Sequence, residues 1–201
     1  MQETPHNRHI RIFNSIAPVY RLFFGYQVRF YRSIFQEHGH TVFSRDISSV
    51  LDIGCGTGAF LNHLSHEGYT VTGVDAAERM IQKARKLSPH IAPHFSTHDF
   101  IKGLPFEDGS FDVVSACYVA HGLMPDERLK LYEETKRLAT KTVFFHDFNP
   151  NRHWMIELVE YLEGGDYHGF IQHAPDEMRD RFSTVNIVDV AETVSWYICT
   201  P

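Results

Sequence analysis

The chain has 201 residues, 43% hydrophobic and 22% charged, with a formal net charge of −6. This fits a single domain with a substantial core, and the charge argues against a general nucleic-acid partner. No apolar run reaches the ~18–20 residues of a membrane span. Met1–His6 has no signal-peptide core, and Cys55, Cys117 and Cys199 form no C-x-x-C pair, so a reduced, cytoplasmic chain without disulfides is expected.

The first element read from the pattern is a helix over 7–38, broken near Pro18 because proline removes a donor and clashes with the preceding turn. Residues 1–45 carry six arginines against Glu3 and Glu37, a local +4 within a chain of −6. That segment reads either as a solvated basic face or as contact with an anionic substrate or surface. Phe23, Tyr26, Phe30 and Phe35 fall near helical spacing. They are either a face packed on the domain or part of a lid over a ligand, with Tyr20 and Phe24 as candidate substrate contacts.

Val50-Leu51-Asp52-Ile53-Gly54-Cys55-Gly56-Thr57-Gly58 follows, a short apolar strand running into a glycine-rich turn. Phe60, Leu61 and Leu64 then share one face of a helix. Such a turn lets backbone N–H groups approach a ligand. Gly54, Gly56 and Ala59 fit G-x-G-x-x-G/A, and Asp75 lies at the distance a ribose-binding acid occupies in dinucleotide folds, so spacing alone leaves a nicotinamide cofactor open. Asp52 repels a pyrophosphate and suits a cationic head such as an ammonium or sulfonium. Asp75 itself reads as a ribose ligand or as a helix N-cap.

Strands are expected near 49–54, 70–74, 93–96, 111–117, 141–147, 184–190 and 193–199, and helices near 58–67, 77–87, 126–139, 153–162 and 175–182. The alternation implies an α/β fold, a doubly wound, mostly parallel sheet covered on both faces. The short link Ala191-Glu192 makes the last two strands an antiparallel hairpin. The expected organisation is one domain with a helical lid (1–45), a cofactor-binding core (46–147), a flap (148–174) and a C-terminal helix and hairpin (175–201). The flap rests on two glycine breaks and several aromatics, including Trp154 as a substrate contact. His63 and His66 read as surface residues. Pro89 and Pro93 interrupt the spacing of His90, His94 and His98, so no metal site is expected.

Four runs in order, Val50–Gly58, Gly73-Val74-Asp75, His98-Asp99 and Leu104–Val114, resemble the class I S-adenosylmethionine-dependent methyltransferases over roughly residues 45–147. The last run resembles the branch that includes the ubiquinone and menaquinone C-methyltransferases. The resemblance implies a seven-stranded Rossmann-like sheet and S-adenosylmethionine as cofactor, leaving as S-adenosylhomocysteine. It implies cofactor contacts from Asp52, Gly54, Cys55, Gly56, Gly58, Asp75, Ala76 and Cys117. It also implies that Asp99 accepts from the adenine amino group beside Phe100, and that Phe13–Tyr20 forms a lid. The fourth strand's end, Ser115–His121, would lie beside the sulfonium, with Tyr118 near the acceptor. It lacks the N/D-P-P-Y run of DNA and protein amide methyltransferases, which points away from exocyclic base amines, and a small-molecule acceptor is expected. His121, His146 and Asp147, at strand ends facing the expected substrate, are candidate bases, with plain structural roles as the alternative. The protein is expected to be a monomer or homodimer. A non-catalytic cofactor-binding module and an oxidoreductase remain the competing readings.

Overall fold

A computed structural model describes residues 4–151 and 165–201. The chain begins with α1 (Pro5–His38), capped by the Thr4 hydroxyl, which accepts from Asn7 N–H at 3.3 Å. There follow β1 (Ser49–Ile53), α2 (Ala59–His66), β2 (Thr70–Asp75), α3 (Glu78–Leu87), β3 (Phe95–Thr97) and β4 (Phe111–Cys117). Then come α4 (Pro125–Leu138), β5 (Ala139–Phe148), α5 (Tyr167–Arg179), β6 (Thr184–Ala191) and β7 (Val194–Thr200).

The seven strands form one sheet in the order β3-β2-β1-β4-β5-β7-β6. Neighbours from β3 to β5 are parallel, while β7 runs antiparallel to both β5 and β6. Successive strand residues point to opposite faces, and both faces are buried. Val50, Val113 and Phe144 join the core beneath α1, α2 and α3, whereas Leu51, Val114 and Phe145 join the core beneath α4 and α5. The chain builds outward from β1 to β3, then crosses to β4 on the other side. This reversal opens a crevice beyond the C-terminal ends of β1 and β4.

The structure corrects several expectations. Pro18 does not break α1, which continues through it for 34 residues. Proline costs only its own hydrogen bond and local crowding, and burial on both sides of it, at Ala17 and at Tyr31 and Ile34, holds the helix in one piece. The aromatic face that fits either packing or a lid is partly outside: Phe23 is 55% and Tyr26 63% exposed. His63 is buried, not superficial. The last helix starts at Tyr167 rather than 175, with Pro175 inside it. Asp166 caps it by accepting from Gly169 N–H at 3.3 Å. Tyr167, Phe170 and Ala174 are buried in the core, so this half of the proposed flap is a packed helix. The rest of the flap, including the expected helix 153–162 and Trp154, lies outside the described residues.

Candidate functional site

A cavity of about 360 Å³ occupies the crevice, walled by the β1–α2 turn, the ends of β2 and β4, and the inner face of α1. The turn is set by backbone geometry. Gly54 and Cys55 both donate to Val74 C=O, at 2.8 and 3.0 Å, which ties the turn to β2. Gly58 is the N-cap of α2 at φ 76°, and a Cβ there would come within 2.6 Å of the Phe95 ring. Gly56, at φ 53°, has nothing within 4 Å of such a Cβ, so its bare backbone faces open space at the cavity.

Two carboxylates stand on either side of the turn. Asp52 is next to last in β1 and is 1% exposed. It accepts from Ser115 Oγ at 2.7 Å, and burial raises its carboxyl to about 7. Asp75 ends β2 and accepts from Gly56 N–H at 2.9 Å and Ala77 N–H at 2.7 Å. Burial raises it to about 6 against those two hydrogen bonds. Its bond to Ala77 precedes α3, whose N-cap is Ala77 itself, so Asp75 is not the helix cap. Each Asp75 oxygen keeps acceptor capacity beyond its one backbone donor. A bare glycine backbone, an acid at the end of β2 and an acid beneath the turn suit, in that order, a close-lying nucleoside, its ribose hydroxyls and a cationic amino-acid end. The residues therefore fit S-adenosylmethionine.

Gly54, Cys55, Gly56, Asp75, Ala76, Phe100 and Cys117 all border the cavity with Asp52. Gly58 supports the turn from behind. Asp99 does not border the cavity. Its Oδ1 accepts from Ile101 N–H at 3.1 Å and meets Nε2 of His6, itself a cavity-lining residue of α1, at 3.0 Å. Burial raises the thiols of Cys55 and Cys117, so both stay protonated at neutral pH.

At the acceptor end, the chain leaves β4 through Tyr118, which has φ 55°. A non-glycine residue there is uncommon and often functional. The bend brings His121 to the cavity wall in a short 3₁₀ turn, Ala120–Gly122. His121 Nδ1 lies 2.6 Å from Asp147 Oδ1. Asp147, fully buried at the end of β5, is fixed in turn by N–H donors from Ala120 at 2.9 Å and Phe148 at 2.8 Å. The Asp147 carboxylate fixes the orientation of the His121 ring.

His146 is a correction. It is fully buried and does not border the cavity. Its Nδ1 accepts from Trp196 Nε1 at 2.7 Å, its ring packs on Tyr31 and Tyr118, and burial lowers it to about 3. It is a neutral core histidine. Phe24 is likewise turned into the core beside α2 instead of the cavity, whereas Tyr20 and Tyr118 do border it. No cluster of three metal-ligating side chains occurs among the described residues.

Sequence reasoning missed His6, His9, Gln27, Tyr31 and Phe148, all on the cavity wall. Gln27 Oε1 is buried without a hydrogen-bond partner. Tyr20, Gln27 and Tyr31 repeat at intervals of seven and four, a helical face that the spacing could have revealed. His9 is lowered to about 4, chiefly by burial and then by the neighbouring His121 and His6.

A family model described as a methyltransferase domain matches residues 50–142. An uncharacterized methyltransferase of Geobacillus sp. is 26% identical over 166 residues, 79% of this chain and 75% of that protein. A demethylmenaquinone methyltransferase of Tropheryma whipplei is 41% identical over 68 residues, which cover 32% of this chain but only 27% of the relative. The fold matches a possible histamine N-methyltransferase of Thermotoga maritima at TM-score 0.69, with 19% identity over 95% of this chain and 99% of that one. It also matches DhpI in a SAM–HEP complex at TM-score 0.68, with 16% identity over the whole of both chains. Residues 50–142, the segment holding the four motif runs, match a methyltransferase domain, and the methyltransferase relatives and the sheet order support a class I S-adenosylmethionine-dependent methyltransferase.

Proposed function

We propose that this methyltransferase acts on a small-molecule acceptor that must lose a proton, such as a hydroxyl or an acidic C–H, and that His121 takes that proton. The observation that carries the reading is that His121 borders the same cavity as the glycine turn, with the buried Asp147 2.6 Å from its Nδ1. S-adenosylmethionine supplies the methyl group, held on a sulfonium and open to in-line displacement. The chain's own part is to bind, orient and take the proton. Asp75 and the Gly54–Gly58 turn hold the nucleoside end, and Asp52 favours the cationic end. Tyr118, Phe148 and the inner face of α1 confine the acceptor, which supports displacement through proximity and exclusion of water. Gln27 Oε1 offers the acceptor an unused hydrogen-bond site.

The acceptor's proton passes to the His121 imidazole, and Asp147 stabilises the resulting imidazolium. Asp147 is a positioning residue here, because it acts through the ring rather than on the acceptor. The test begins with a panel of phenols, enols and amines, read by release of S-adenosylhomocysteine. On an acceptor that turns over, His121→Ala should lower kcat by about 10²–10⁴-fold and leave cofactor affinity unchanged. Asp147→Asn should lower kcat less and shift its pH profile. Unchanged kcat in folded His121→Ala would remove the base from the mechanism.

A further inference from the structure

One face of α1 is apolar, exposed and outside the site. Val19, Leu22, Phe23 and Tyr26 are 53%, 76%, 55% and 63% exposed. Their spacing of three, four and seven places them in a single stripe along the helix. These are four of the five exposed large hydrophobics on the described surface, so the patch is concentrated on one helix. Scattered apolar residues need no explanation, but a contiguous stripe does.

The charges beside the stripe indicate what covers it. Between Pro5 and His38 there are five arginines and one acid, Glu37, in a chain whose net charge is −6. Arg29 lies along one edge of the stripe at 3.6 residues per turn, with Arg21 and Arg32 further round the same side. All three are exposed, and none has a carboxylate partner among the described residues. The helix thus has a core face, an apolar outer stripe and an arginine edge. A second copy is a poor occupant, because pairing two such stripes opposes like charges. Four side chains also fall well short of the ~800 Å² per partner of a stable interface.

We propose that α1 docks this protein on the surface of an anionic phospholipid bilayer, its stripe entering the headgroup boundary and its arginines meeting lipid phosphates. The arrangement matches helices that lie in the interface plane. No described helix is long and apolar enough to cross a membrane, so the contact is peripheral. The remainder of the molecule is strongly negative, and an anionic surface would repel it. The same field that attracts α1 therefore orients the molecule with this helix downward. The proposal does not depend on the acceptor or on His121.

Flotation of the full chain with vesicles tests it. Vesicles of phosphatidylglycerol mixed with phosphatidylcholine should carry the protein, and pure phosphatidylcholine vesicles should carry much less. Binding to the anionic vesicles should weaken at high salt. Leu22→Gln with Phe23→Gln, which keeps good helix formers, should lower partitioning by about tenfold or more, and Arg21→Glu with Arg29→Glu should do the same. Both variants should keep the wild-type melting temperature, since all four positions are exposed. The proposal is overturned if the wild type ignores anionic vesicles, or if either variant partitions like the wild type. It is also overturned if sedimentation shows a dimer that the Leu22/Phe23 variant dissolves, since the stripe would then be a self-association surface.

Discussion

Burial holds Asp52 at about 7, against a usual carboxylate value of 3.8, so its charge changes within the working range. The raised value means that the folded state keeps a proton the unfolded chain has already released. Stability of the ligand-free protein therefore falls as pH rises from about 4 to about 7, then levels off. Asp75, raised to about 6, adds to the same trend over the lower part of that window. Asp52→Asn removes the larger share, so its melting temperature should exceed the wild type's at about pH 8 and approach it near pH 5. A ligand with a cationic end reverses the preference, because it favours the ionised carboxylate. Affinity for S-adenosylmethionine should then rise on the order of tenfold between about pH 6 and pH 8 in the wild type and stay flat in Asp52→Asn. Equal pH dependence in the two proteins, measured by calorimetry, would separate Asp52 from the cationic end of the ligand.

Elements differ in how far one residue's surroundings can be read from the chain, and α1 shows why. Its inner residues are scaffold as well as cavity wall: Ile34 is 4% exposed in the core under α2, while Leu22 is 76% exposed. Ile34→Ala should cost about 2–5 kcal/mol through lost burial and the cavity left behind, and Leu22→Ala should lie within about 0.5 kcal/mol of wild type. Urea unfolding measures both, and similar values would mean that the two faces have been exchanged. Deleting the helix should unfold the chain rather than leave a weak binder. The glycine turn and its two acids were legible because their function rests on local backbone chemistry: φ > 0, exposed N–H groups and an acid at a strand end. The orientation of α1 was not. Aromatics recur all round it, and which set faces inward is decided by the distant α2 and α3, not by local periodicity. His146 was misread for a related reason. It lies near the end of a strand as His121 follows one, but the partner that claims it, Trp196, lies on an antiparallel strand 50 residues away.

The whole molecule places its cavity between a rigid sheet edge and a helix that precedes the sheet in the chain. The glycine turn is tied to β2 by backbone hydrogen bonds, and α1 reaches the same space from the other side through His6, Tyr20 and Tyr31. A ligand seated there spans both, so binding should stabilise the two together rather than the turn alone. S-adenosylmethionine and S-adenosylhomocysteine should each raise the melting temperature, by roughly 2–4 °C for each kcal/mol of binding energy expressed at that temperature. NAD should leave it unchanged, because Asp52 lies beneath the turn where a pyrophosphate would sit. Hydrogen exchange divides the effect by region. Amides of Gly54–Gly58 should slow on binding, and those of α1 around Tyr20 to Tyr31 should slow with them, because opening that helix would expose the ligand. Protection confined to the turn, with α1 exchanging as before, would mean that the helix is a neighbour of the cavity and not a wall of the bound state. Stabilisation by NAD in place of the sulfonium ligand would contradict the cofactor itself.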